Sequence, residues 1–115
     1  FKELVFLDLS QNQIDFLPKN VFLNNRLLVN VNLNSNRLKL LNFDEFNYYS
    51  TIKFDFGFNS ITNFYAYSSN DRRFISMSLN NNNLTIFEFE TLKIYKEMLY
   101  LDLSFNCLSL LQPIR

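Results

Sequence analysis

Histidine is missing from this 115-residue chain, and glycine and cysteine occur once each, as Gly57 and Cys107. Without histidine the commonest general base and imidazole metal ligand are absent. A single glycine cannot build the glycine-rich loop that cradles phosphate. A lone cysteine can neither close a disulfide within the chain nor make a cysteine-based zinc site. The 11 basic and 11 acidic side chains cancel, so no strong field favours nucleic acid or an anionic membrane. No apolar run reaches the roughly 20 residues that a membrane-spanning helix needs. These absences tell against an enzyme, a cofactor carrier, a nucleic-acid binder and a membrane span. What is present is a chain with 48% hydrophobic residues, too apolar for disorder and of one domain's length.

The organising feature is an internal repeat. The segments LDLSQN, VNLNSN, FDFGFN, MSLNNN and LDLSFN end at Asn12, Asn36, Asn59, Asn82 and Asn106, spaced by 24, 23, 23 and 24 residues. Three residues before each asparagine stand Leu9, Leu33, Phe56, Leu79 and Leu103, and five before stand Leu7, Val31, Phe54, Met77 and Leu101. Two residues after come Ile14, Leu38, Ile61, Leu84 and Leu108; five after come Leu17, Leu41, Phe64, Phe87 and Leu111. All are apolar. The pair before the asparagine has the period of two that a strand with one buried face requires. The pair after it returns the chain to the same interior. One such unit cannot bury its apolar set alone, so neighbours must stack, and their strands form a parallel sheet.

Within this scheme the run SLNNNNLT, residues 78–85, is not a linker. Asn82 is one of the five regularly spaced asparagines, expected to act as rungs of a structural ladder. A carboxamide carries donors and an acceptor, so it can bond both its own turn and the adjacent unit. Asn80 and Asn81 are expected at an exposed strand end. Asn83 begins the triplet Asn83-Leu84-Thr85, an acceptor sequence for N-linked glycan.

The pattern L-x-x-L-x-L-x-x-N-x-L resembles the leucine-rich repeat over essentially the whole chain. Its first position is held by Leu4, Leu28, Thr51, Phe74 and Met98, with Ile52 beside the divergent Thr51. The resemblance implies a solenoid of about five coils over residues 1–115, a right-handed superhelix of β/α type. Short parallel strands would line its concave face, with irregular or short helical and 3-10 segments on the convex side. The unit length, with an apolar anchor such as Phe22, Phe46 or Leu92 later in the repeat, is similar to the extracellular "typical" subclass. The third copy has Ser69 at the anchor position, and Tyr65, Tyr67, Arg72 and Arg73 there read as repacked convex surface or as a contact loop. The column Val5, Val29, Ile52, Ile75 and Leu99 extends the period of two and is expected in the core. The chain opens inside the pattern at FKELVFLDLS, without a signal peptide, and stops within it at LLQPIR. That fits an excerpt lacking terminal caps, whose end coils would expose apolar surface.

No catalytic, metal or cofactor residues are nominated. The candidate contact residues are those expected to face outward on the concave side: Phe6, Lys53, Phe58, Tyr100 and Phe105, since exposed aromatics on a rigid surface are what protein-binding patches use. Asp8, Asp55 and Asp102 share a column and read as solvated strand residues. The resemblance implies a module binding a protein or microbial ligand, as in Toll-like receptor ectodomains and secreted immune proteins of animals. Self-association or assembly with another protein of the same kind fits that class, as does an extracellular, glycosylated location. Alternatives are an adhesion or developmental receptor ectodomain, or an intracellular structural scaffold, for which a free Cys107 is equally at home.

Overall fold

A computed structural model describes residues 3–22, 24–42, 53–65, 76–88, 99–108 and 110–112. The expectations that fall on Phe46, Thr51, Ile52, Tyr67, Ser69, Arg72, Arg73, Phe74, Ile75, Leu92 and Met98 lie outside these residues. Every described regular element is a strand of three residues: β1 Phe6–Asp8, β2 Asn30–Asn32, β3 Leu40–Asn42, β4 Lys53–Asp55, β5 Asn63–Tyr65, β6 Ser76–Ser78, β7 Ile86–Glu88, β8 Tyr100–Asp102 and β9 Leu110–Gln112. All pairings between them are parallel.

The main sheet has the order β1-β2-β4-β6-β8. Its register places Leu7, Val31, Phe54, Met77 and Leu101 in one transverse row. That row faces the core: Val31, Phe54 and Met77 are buried on the three inner strands, and Leu7 and Leu101 are half-buried on the outer two. Leu33, Phe56 and Leu79 follow two residues later, also fully enclosed. Phe54 and Phe56 stack within one strand end, with ring centroids 5.7 Å apart. Burying such a row removes apolar surface at about 25 cal/mol per Å2, and no single three-residue strand would persist without it.

After each asparagine the chain crosses the core through Ile14, Leu38, Ile61, Leu84 and Leu108, which pack on the same cluster. It then forms strands where irregular or short helical segments were expected. Among the described residues there is no helix; β3 pairs with β5 and β7 with β9 in two small sheets. The reason is a strand pattern that finds its partner one repeat away. Leu40, Leu41 and Asn42 read exposed, buried, half-buried, which is a strand's alternation and not a helix's. The first repeat lacks this strand at Phe16-Leu17-Pro18, where the proline has no N–H to give to a ladder. Between the two small sheets backbone pairing stops, yet Phe64 of β5 and Phe87 of β7 stack with centroids 5.6 Å apart.

A second correction concerns the approach to the main strands. Val5 is 51% and Leu99 82% exposed, and Val29 is half-buried, so that column is not core. The inward position is held instead by Leu28, fully buried, and Leu4, packed against the cluster. The strands begin only at Phe6, Asn30 and Tyr100. Before those residues the period of two does not apply, and a tight turn sets the phase, with Leu28 N–H donating to Asn25 O at 3.2 Å.

Candidate interaction face

The strand ends are held by the repeating asparagines. The Asn59 Nδ2 donates to the carbonyls of Phe56 and Gly57 in its own turn and of Leu33 in the preceding repeat, at 3.0, 3.1 and 3.0 Å. Its Oδ1 accepts the Leu38 N–H at 3.0 Å. Asn36, Asn82 and Asn106 repeat this arrangement, accepting from Ile14, Ile61 and Leu84. Asn36, Asn59 and Asn82 are buried, while Asn12 is exposed and bonds only the Leu9 and Ser10 carbonyls of its own turn. A buried carboxamide with all its partners in place is a rigid element; with one missing it would be costly.

The residue before each of these asparagines is left-handed. Gln11, Ser35, Phe58, Asn81 and Phe105 have φ of 57°, 60°, 52°, 55° and 54°. Only Asn81 is a residue type enriched in that region; for bulky phenylalanines it is an outlier. The conformation is enforced from the neighbouring repeat, because the Phe58 N–H donates to Asn80 O and the Asn81 N–H to Ser104 O, both at 2.9 Å.

The outer face of the main sheet forms rows. Phe6, Asn30, Lys53, Ser76 and Tyr100 make the first. It brings three of the five nominated contact residues into one line but not into contact, since Phe6 and Lys53 stand two strands apart, about 10 Å. The second row is Asp8, Asn32, Asp55, Ser78 and Asp102. Its side chains do more than face solvent. Oδ1 of Asp8, Asn32, Asp55 and Asp102 accepts the N–H two residues on, at 2.9 to 3.0 Å, closing the turn from the side chain. Asx turns of this kind carry a sequence signal, an Asp or Asn at fixed offset from the turn. The Ser10 hydroxyl and N–H hold the Asp8 carboxyl below its ordinary value, and those of Ser104 do the same for Asp102. The charge of Asp102 in turn raises the Tyr100 hydroxyl.

Beyond this row Asn34, Gly57 and Asn80 are adjacent. A Cβ on Gly57 would overlap Asn80 Oδ1 and lie 3.0 Å from Asn34 Nδ2. The lone glycine therefore makes room for two carboxamides, of which Asn34 also donates to Asp55 Oδ1 at 3.2 Å. Phe58 and Phe105, 52% and 78% exposed, lie three residues beyond the ends of β4 and β8, which are two strands apart.

Asn83 is exposed and Thr85 likewise. In the asparagine run, Asn80 and Asn81 are tied to each other and Asn82 is enclosed, whereas the Asn83 backbone alone is anchored, its N–H donating to Ile61 O at 2.9 Å. Cys107 is free and exposed. Elsewhere the sequence reading missed three exposed apolar residues at equivalent positions, Phe16, Leu40 of β3 and Ile86 of β7, with the polar Asn63 paired to Leu40. Phe16 and Leu40 line a cleft of about 270 Å3 with Asp15, Leu17, Lys39, Leu41 and Asn42. Their signal was an apolar residue directly before Leu17, Leu41 and Phe87.

Among the described residues no group of three or more acidic, cysteine or histidine side chains could hold a metal ion, and no helix is long and apolar enough to cross a membrane. No family model, curated protein or solved structure matches the chain.

Proposed function

We propose that the chain is part of a leucine-rich-repeat solenoid that binds a protein or microbial ligand through the outer, concave face of its main sheet, and that it does no catalysis. The observation that carries this is the pairing of a rigid sheet with exposed aromatics on it. Phe6, Phe58, Tyr100 and Phe105 are presented by β1, β4 and β8 and the turns after them, which are held by the carboxamides of Asn36, of Asn59 and Asn82, and of Asn106. Preorganised aromatics lose little freedom on contact, which is what makes them effective anchors. An extracellular setting, in innate-immune recognition, is supported by the Asn83-Leu84-Thr85 triplet, whose Asn83 and Thr85 are exposed. A second reading, an intracellular scaffold, is favoured by the exposed free thiol of Cys107, since free thiols persist in reducing compartments.

The test compares the wild-type chain with the Phe58→Ser, Phe105→Ser double variant for retention on microbial cells and cell-wall preparations. The double variant should be retained several-fold less at an unchanged or higher melting temperature. Equal retention removes the sheet face as the contact surface. Secreted expression separates the two locations: a glycosidase-sensitive mobility shift, lost in Asn83→Gln, supports the outside, and its absence supports the scaffold.

A further inference from the structure

Phe58 and Phe105 combine two costs that the fold does not recover. Each holds a left-handed backbone at φ of 52° and 54°, a region unfavourable for a bulky side chain. Each is also exposed, over half of its surface at Phe58 and most of it at Phe105. The equivalent residues of the other repeats are Gln11, Ser35 and Asn81, so the turn itself has no need of a ring. The same two strands, β4 and β8, carry carboxylates three residues earlier, Asp55 and Asp102. Their Oδ1 atoms are engaged by the Gly57 and Ser104 N–H groups. The partners of both carboxylates are neutral: backbone N–H groups, the Asn34 carboxamide, and the Ser104 and Tyr100 hydroxyls. Over its four rows the outer face carries three carboxylates, Asp8, Asp55 and Asp102, against the single ammonium of Lys53.

We propose that Phe58 with Asp55 and Phe105 with Asp102 form twin anchors for the basic side chains of a partner protein. A guanidinium or ammonium lying over a phenyl face gains from the ring quadrupole, and the carboxylate three residues earlier at the same strand end supplies a charge-assisted hydrogen bond. The two anchors stand two strands apart, about 10 Å, so two basic residues of one partner are held at a fixed spacing. The negative balance of the face selects against acidic partners. The assignment rests on reading this face as a binding surface and adds the chemistry of what it binds.

The experiment is a calorimetric titration of the 115-residue chain with three blocked peptides: tetra-arginine, tetraglutamate and tetraserine. Two double variants accompany it. Asp55→Asn with Asp102→Asn keeps the side-chain turns, because Asn32 already makes that turn. Phe58→Asn with Phe105→Asn keeps the left-handed backbone, because Asn81 already adopts it. Tetra-arginine should bind in preference to the other two, lose about tenfold in affinity in either double variant, and weaken as salt rises. Unchanged affinity in either double variant overturns the anchors. Preferential binding of tetraglutamate or tetraserine, lost in the phenylalanine variants alone, overturns the basic partner while leaving the face as a contact surface. Binding of none of the three overturns the anchors too, and retention on microbial surfaces then judges the binding face independently.

Discussion

The carboxamide of Asn59 reaches across the main sheet to the carbonyl of Leu33, 26 residues earlier, at 3.0 Å. Leu33 O also accepts from Asn36 of its own turn at 3.1 Å. One carbonyl thus serves two rungs, and each rung after the first joins two repeats. The spacing of the asparagines is fixed by this sharing, since a rung displaced by one residue would lose both the carbonyl behind it and the N–H it accepts.

Removing an inner rung should therefore cost more than removing the first. Asn59→Ala or Asn82→Ala takes one donor from each of three carbonyls, leaves the buried N–H of Leu38 or Ile61 without its acceptor, and is expected to destabilise by about 1–3 kcal/mol. Asn12→Ala removes two bonds at an exposed position and is expected to cost less than about 1 kcal/mol. Denaturant unfolding of the three variants checks the order; equal losses at Asn12 and Asn59 refute it.

At Phe58 and Phe105 stability and contact should move in opposite directions. Asparagine tolerates the left-handed region far better than phenylalanine. Phe58→Asn and Phe105→Asn should each raise stability, by about 1 kcal/mol. A lower melting temperature in both would mean that the rings stabilise the fold.

Gly57 is needed for space and not for backbone freedom, since its φ is not positive. Gly57→Ala drives a methyl into the Asn80 carboxamide and should cost about 1–3 kcal/mol. Adding Asn80→Ser should recover most of that, because serine occupies the same row at Ser10 and Ser104. Failure of the second substitution to rescue would place the strain elsewhere.

The carboxyls of Asp8 and Asp102 titrate below their ordinary value of 3.8 in the folded chain. A depressed folded value means the ionised form is favoured by folding. The contribution is present above pH 3.8 and is lost as pH falls through the lower folded values. Both groups are exposed, so the effect is small. Asp8→Asn with Asp102→Asn should flatten the loss of melting temperature in that acid range, as should be visible by circular dichroism; an acid slope identical to wild type would contradict the assignment.

The parts of this fold readable from sequence are those set by periodic burial. Leu7, Val31, Phe54, Met77 and Leu101 alternate with polar residues, and that alternation is sufficient to locate five strands. The small sheets were not readable, because whether Leu40–Asn42 becomes strand depends on a neighbouring backbone 23 residues away and on the proline in the first repeat. The exchange of Val5 for Leu4 as the inward residue arises where the strand has not begun and a pattern of two has no authority. The left-handed row was invisible for another reason. Gln11, Ser35, Phe58 and Phe105 carry no strong preference for positive φ, and in the first three the N–H is held by a carbonyl of the next repeat.

The direction of the ladder has a consequence for how the chain acquires its structure. The N–H of Ile14 is satisfied by Asn36, 22 residues later, and that of Leu38 by Asn59, 21 residues later. The turns at Ile61 and Leu84 are likewise completed from downstream. On a ribosome, where N-terminal segments emerge first, each of these repeats waits with several open donors until its successor has been synthesised. Growth of the array is then vectorial, with each new asparagine acting as the latch on the repeat before it.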